Sequence, residues 1–266
     1  METMPRLTRR RLLALATAGL AAPALPARAQ TAGAWRRVPE IAAVLDGVEP
    51  REGGIVLDLP FVSENGNSVP LSVAVEGTKG ENRVRALHVF APANPSPQVA
   101  IFHFTPLSPA AVETRIRLNE SQTVIALALF DDGTALVAER EVRVTVSGCL
   151  TDAGTYASDS LFQTRVRVPE TLAAGAAGPV LTMIGHPMET GLRPGPDGAP
   201  LPQRLIERFE ARLDGEPVFA ADLYRSVSAD PYLKFQIAPQ ASGTLALNWR
   251  EDTGHVATAE AQIVVG

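Results

Sequence analysis

Apolar and polar residues alternate with period two through most of this chain, the pattern of strands that bury one face and leave the other wet. Runs of this kind, or short β-branched runs, fall at residues 55–59, 69–75, 84–90, 99–104, 114–118, 123–130 and 135–146. Turn formers separate them: Asn65-Gly66, Thr78-Lys79-Gly80, Pro92 to Pro95 and Asp131-Asp132-Gly133. Seven short strands at this spacing predict an immunoglobulin-like sandwich. The pattern then repeats at 162–168, 180–184, 205–213, 217–223, 232–237, 244–248 and 257–265, with turns at 193–198, Asp214-Gly215 and 252–254. Residues 205–213 (LIERFEARL) fit a helical period as well as a strand. A helical period is clear only at 35–48, where Ile41, Val44, Leu45 and Val48 share a face before Pro50 and Gly53-Gly54 stop the run. The expectation is an all-β chain of two immunoglobulin-like β-sandwich domains, preceded by a short N-terminal helix. No sequence repeat links the two halves.

The first 29 residues follow a different pattern. Arg9-Arg10-Arg11 precedes an apolar run from Leu12 to Leu25, and Ala27-Arg28-Ala29 supplies small residues for cleavage before Gln30. The run is short and alanine-rich for a membrane span, so residues 1–29 are read as a twin-arginine signal peptide and the mature protein as periplasmic. The expected division is then 30–149 for the first sandwich, 150–160 for a linker and 161–266 for the second. Five of the 24 basic residues (Arg6, Arg9, Arg10, Arg11, Arg28) and one of the 29 acidic residues (Glu2) leave with the signal. The formal charge moves from −5 to −9, with 19 basic residues against 28 acidic ones. An acidic surface without a basic, aromatic-studded stripe disfavours nucleic acid and anionic lipid as partners.

One position stands out chemically. Cys149 is the single cysteine of the chain, at the end of a strand pattern in which Val142, Val144 and Val146 alternate with Arg143 and Thr145. Ser147-Gly148 breaks that pattern, Leu150 follows the thiol, and residues 151–160 are polar and small like a linker. An unpaired thiol in an oxidising compartment calls for an explanation, although a free cysteine also packs as a small hydrophobe at a sheet end. Arg165 and Arg167, just past the linker, are candidate local charges for a thiolate. Histidines 88 and 103 sit in strand patterns and His255 in a turn. His186-Pro187-Met188-Glu189-Thr190-Gly191 gathers imidazole, thioether and carboxylate at the start of a loop, too few ligands for a complete metal site. Nucleophile-elbow, zincin, phosphate-loop and paired-cysteine motifs are missing, so the expectation is no catalytic residue, no metal and no cofactor. A Cys149–His186 hydrolase pair would need a neighbouring oxyanion site that nothing near the cysteine announces.

Several strings resemble a known carrier family. Residues 61–73 (FVSENGNSVPLSV), 84–95 (VRALHVFAPANP), 102–106 (FHFTP) and 114–122 (TRIRLNESQ), up to the strand ending at Cys149, resemble SoxY. Residues 165–170 (RVRVPE), 186–193 (HPMETGLR), 215–219 (GEPVF), Ala221-Asp222, and 243–245 with Trp249 resemble SoxZ. The resemblance implies a fused form of the SoxYZ carrier of thiosulfate oxidation. Its cysteine holds sulfur intermediates covalently and presents them to periplasmic enzymes, with two immunoglobulin-like domains packing together within the chain. In that family the cysteine lies in a Gly-Gly-Cys-Gly-Gly tail at a free end. Here the arm reads Ser147-Gly148-Cys149-Leu150 and the chain runs on. Fused proteins of this kind accompany quinoprotein dehydrogenases, so the resemblance implies partner enzymes of the Sox or of the quinoprotein dehydrogenase type. The alternative reading is a non-catalytic accessory module for such a dehydrogenase, with Cys149 inert.

Overall fold

The computed structural model describes residues 33–76, 82–147 and 158–266, and within them strands dominate. The signal segment, the turn at 78–80 and the residues Gly148, Cys149 and Leu150 lie outside the described residues. No helix among the described residues is long and apolar enough to cross a membrane.

A 3-10 turn at Ala34–Arg37 and a helix α1 (Pro39–Leu45) open the fold. The sequence pattern predicts one helix over 35–48, and the chain divides it for two local reasons. Pro39 lacks an N–H and fits the first turn of a new helix, so α1 begins there after the extended Val38. Asp46 then adopts a left-handed conformation (φ 46°) and Gly47 follows at φ 87°, ending α1 before Val48, which is consequently exposed.

The strands of the first half are β1 (Arg51–Glu52), β2 (Ile55–Asp58), β3 (Val62–Ser63), β4 (Val69–Val75), β5 (Val84–Phe90), β6 (Gln98–Phe104), β7 (Ala111–Ile116), β8 (Gln122–Phe130) and β9 (Ala135–Val144). Those of the second half are β10 (Thr164–Arg167), β11 (Gly178–Ile184), β12 (Ile206–Leu213), β13 (Glu216–Leu223), β14 (Tyr232–Ile237), β15 (Gly243–Glu251) and β16 (Val256–Ile263). The ambiguous run at 205–213 is a strand, because β13 and β15 hydrogen-bond it on both edges. The dipeptides β1 and β3 carry no periodic signal and are strands only because each pairs in parallel with β9.

Two sheets face each other, and both run through the two halves. One has the order β1-β9-β8-β5-β6-β13-β12-β15-β16, with β3 also on β9; the other has the order β10-β11-β14-β7-β4-β2. The halves are joined where β6 pairs antiparallel with β13, from Phe104 opposite Phe219 to Ala100 opposite Leu223. In the second sheet β14 meets β7 at Lys234–Glu113 and Phe235–Val112. The apolar core is likewise continuous. Phe102 of the first half stacks on Phe219 at 6.2 Å, Phe219 on Phe235 at 4.4 Å, and Phe209 lies 5.1 Å from Trp249. Each of these rings is buried and contributes roughly 1.5–3 kcal/mol of transfer free energy. On the outer face of the long sheet, Trp35, Val38, Ile41 and Leu45 close a second cluster over Phe90, Ile125, Leu127 and Val137.

Candidate functional site

The cysteine itself lies outside the described residues, so the site is built from the stalk that leads to it. Strand β9 ends at Val144, whose N–H donates to Ser121 Oγ at 2.9 Å. The next residues leave the sheet but stay tied to the loop after β3. The N–H of Thr145 donates to the Ser63 carbonyl at 3.1 Å, and the Val146 carbonyl accepts from Gly66 N–H at 2.8 Å. Ser147 is the last described residue before the cysteine, and its Oγ donates to Asn119 Oδ1 at 3.0 Å. The chain resumes in a 3-10 turn at Ser158–Ser160, held where Phe162 N–H donates to the Gly185 carbonyl at 2.7 Å. Phe162, which the sequence pattern assigns to a strand, has φ 61°, so β10 starts two residues later.

Beneath Ser147 lies a buried polar network that spans both halves. Asn119 N–H donates to Asn94 Oδ1 at 2.8 Å, and Gln122 Nε2 donates to the same oxygen at 2.9 Å. The Asn94 amide donates to the Arg117 carbonyl and to Ser226 Oγ, each at 2.8 Å. Arg117, only 6% exposed, reaches from the first half into the second. Its guanidinium donates to the Met188 carbonyl at 2.6 Å and the Pro187 carbonyl at 3.0 Å, while its N–H donates to the Ser226 carbonyl at 2.7 Å. A fixed fork of donors suits two adjacent carbonyls, which a single ammonium could not serve equally.

Those two carbonyls belong to the loop that gathers His186, Met188 and Glu189, and the loop is locked by its own side chains. His186 is fully buried, and its backbone N–H donates to Asp230 Oδ1 at 3.0 Å. Its Nδ1 accepts from Met188 N–H at 3.1 Å, which places the ring proton on Nε2, facing Glu251 Oε1 at 2.8 Å. Burial pushes the His186 pKa down, with Glu251 offsetting only part of it, so the ring is neutral. Burial alone would raise Glu251, but hydrogen bonds from Thr253 and His186 and the charge of Arg204, 2.6 Å away, hold its carboxyl below the usual range. Met188 sits at φ 49° with its sulfur accepting from Ile206 N–H at 3.3 Å. Both ring nitrogens and the thioether are therefore engaged in the fold. No free nitrogen of His186 is left to act as a base, and no group of three His, Cys, Asp or Glu among the described residues is arranged to hold a metal.

Of the other histidines only His255 touches this network, through its carbonyl, which accepts from Glu251 N–H at 2.8 Å. His103 of β6 pairs with Asp222 of β13 at 2.7 Å, and Arg208 holds the other oxygen of that carboxylate at 2.6 Å, so this cluster straddles the join between halves. His255 stacks on Phe162 at 3.9 Å. His88 is buried beside Phe90, and its Nδ1 has no hydrogen-bond partner among the described residues. Burial, then the proximity of His103 and Arg85, lowers the His88 pKa from 6.5 to about 4. A histidine depressed in this way stabilises the fold fully above its unfolded pKa and loses that contribution as the pH falls through 6.5 toward 4. We therefore expect the urea midpoint to fall between pH 7.5 and 4.5, with His88 supplying up to about 3 kcal/mol of the loss. In His88→Leu the drop between the two pH values shrinks by that amount; an unchanged drop would show that His88 is not held neutral.

Arg165 and Arg167 are exposed on β10 and line one shallow cleft with Arg115. Asn94, Arg117, Asn119 and Ser226 were not singled out by the sequence pattern. The available signal was Arg117 itself, a charged residue that follows the inward-facing Val112, Thr114 and Ile116 and is buried with them.

Comparison with known proteins places family boundaries on this geometry. Residues 41–149 match the family described as sulfur oxidation protein SoxY, and residues 166–262 match the one described as sulphur oxidation protein SoxZ. No curated protein matches the chain. Among solved structures, the superoxide reductase (neelaredoxin) from Ignicoccus hospitalis aligns with a TM-score of 0.31 at 16% identity, over 35% of this chain and 80% of its own. A β-glycosidase from Bacteroides vulgatus aligns with a TM-score of 0.26 at 8% identity, over 81% of this chain and 25% of its own.

Proposed function

The chain belongs to the SoxY and SoxZ families, joined in one polypeptide, and on that premise we propose that Cys149 is the attachment point of a covalently carried, sulfur-containing intermediate. At the coarser level its role is that of a sulfur-oxidation carrier or accessory protein, a family generally non-catalytic and typically periplasmic. The finer reading rests on one observation: β9 delivers a pinned stalk to Ser147, two residues short of the thiol, directly above the network that ties the two halves together.

Such a stalk would fix the root of the arm while the thiol, flanked by Gly148 and Leu150, reaches partner enzymes. The match to SoxY ends at Cys149 and the match to SoxZ begins at Val166, and residues 150–160 between them would serve as the tether. Pairing of β6 with β13 then belongs to a single chain, with 30–149 and 161–266 acting as carrier halves. The twin arginines at 9–11 fit export of this folded pair to the periplasm, where partners of the Sox or the quinoprotein dehydrogenase type would meet it.

Carriage requires a thiol that solvent and partners can reach. An ordinary thiol has a pKa of about 8.5 and is only a few per cent ionised at neutral pH. The folded mature protein is therefore expected to be alkylated at Cys149 by iodoacetamide to completion, at a rate that rises roughly tenfold per pH unit below that pKa and levels off above it. A thiol that reacts only after denaturation would contradict the carrier and favour an accessory module with an inert cysteine.

A further inference from the structure

The six-stranded sheet carries a basic cleft that the carrier chemistry does not use. Arg165 and Arg167 project from β10, and β10 is an edge strand. In register across the sheet, Arg165 lies opposite Met183 and Arg167 opposite Leu181; Met183 in turn faces Tyr232 of β14. Arg115 of β7 closes the row, its guanidinium 5.3 Å over the Tyr232 ring. These residues and Thr182 line a cleft of about 250 Å³ with no acidic side chain in it.

What sets these three arginines apart is that they are gathered in one cleft that no carboxylate lines. Several cations elsewhere meet carboxylates: Lys234 reaches Glu113 at 2.6 Å, Arg193 reaches Glu189 at 2.8 Å and Arg250 reaches Glu207 at 3.0 Å. A cleft of about 340 Å³ on the long sheet contains Arg225 and Arg250 but balances them with Glu207, Asp222 and Asp252, and the cleft adjoining the arginine cleft, which shares Arg115 and Tyr232 with it, holds Asp58 and Glu113. Arg115, Arg165 and Arg167 share one cleft whose lining includes no carboxylate. Gathering three like charges costs Coulomb energy that a bound anionic partner would remove. The cleft is open to solvent, and its lining mixes the guanidinium forks with Leu181, Met183 and Tyr232.

We propose that this cleft docks an acidic, extended segment of a partner protein, its carboxylates paired with Arg115, Arg165 and Arg167 and its apolar side chains laid on Met183 and Tyr232. Guanidinium forks suit carboxylates two atoms at a time, and an edge strand offers a peptide unpaired backbone groups to run beside. A second copy of this chain is the poorer occupant, because its formal charge of −5, or −9 without residues 1–29, makes two copies repel at long range. A local basic face on an acidic carrier would instead steer acidic partners and orient them on one side. The proposal does not depend on Cys149, and its test leaves the thiol out.

The probe is a fluorescein-labelled hexaglutamate peptide, titrated with the mature protein and followed by fluorescence anisotropy. We expect saturable one-to-one binding that weakens steeply when salt is raised from about 50 to about 200 mM. The Arg165→Glu/Arg167→Glu double variant is expected to lose about tenfold or more in affinity. A matched double reversal at exposed Arg85 and Arg140 changes net charge equally, and binding should stay within about twofold of the parent. Equal losses in both variants, or no saturable binding, would overturn the proposal. So would displacement of the peptide by millimolar sulfate beyond chloride of the same ionic strength, which would assign the cleft to a small anion. A dimer abolished by the Arg165/Arg167 reversals in sedimentation would assign the face to a second copy and overturn it as well. Unchanged thermal midpoints in both variants show that loss of binding is not loss of fold.

Discussion

Replacing Arg117 with alanine is expected to destabilise the protein by about 3–5 kcal/mol, because two buried hydrogen bonds from a charged donor disappear together. The side chain is 6% exposed and donates to the carbonyls of Pro187 and Met188, which belong to the other half of the chain. Once the guanidinium is gone, those carbonyls face an apolar methyl where no water replaces the donor for free. The loop they belong to also holds Met188 at φ 49°, a left-handed conformation that persists only while its neighbours insist on it. Urea unfolding is the measurement: the midpoint should drop with little change in slope. Arg117→Lys should recover part of the loss, since an ammonium can reach one carbonyl well but not both. A loss of under about 1 kcal/mol for alanine would mean that the network merely decorates the join, as exposed polar contacts do.

The periodic elements were legible because the hydrophobic effect writes them locally. Strand β4 follows directly from alternating burial in VPLSVAV, where Val69, Leu71, Val73 and Val75 all turn inward, while β5 and β8 show as β-branched and apolar runs because both their faces are covered. The all-β class, the early helix and the position of nearly every strand could be read this way, and the resemblance to SoxY and SoxZ could be read from short strings. What could not be read was non-local. Strands β1 and β3 are two residues each and exist only by pairing with β9, some 80 residues away. The break in the 35–48 helix depended on backbone preferences at Pro39 and Asp46 that a face count overlooks. The joining of both sheets through β6–β13 and β14–β7 leaves no mark on either sequence, since edge and central strands of a sandwich bury alternate residues alike. His186 illustrates the same limit at the site. Its motif looked like an incipient metal ligand set, whereas its partners, Glu251 and Asp230, come from distant loops and strands and turn it into a structural clamp. Arg165 and Arg167 were noticed as charges near the arm, but Arg115, which completes their cleft, comes from β7.

The central claim concerns Cys149, and there the expected effect is all or none. On the proposed carrier reading the adduct bond would be made only through this sulfur, so Cys149→Ser, which removes the sole thiol of the chain, should abolish the protein's contribution to sulfur oxidation in its own cell. The thermal midpoint should stay the same, because a serine hydroxyl nearly matches the thiol in size. Loss of function together with loss of fold would be a different result and would leave the cysteine's role structural. The most direct measurement is the intact mass of the mature protein taken from its own periplasm, with and without reductant. The carrier account predicts a fraction heavier than the chain from Gln30 onward, its excess mass mapped to Cys149, removed by reductant and missing from Cys149→Ser. A single species at the unmodified mass, drawn from cells actively oxidising sulfur compounds, would contradict it.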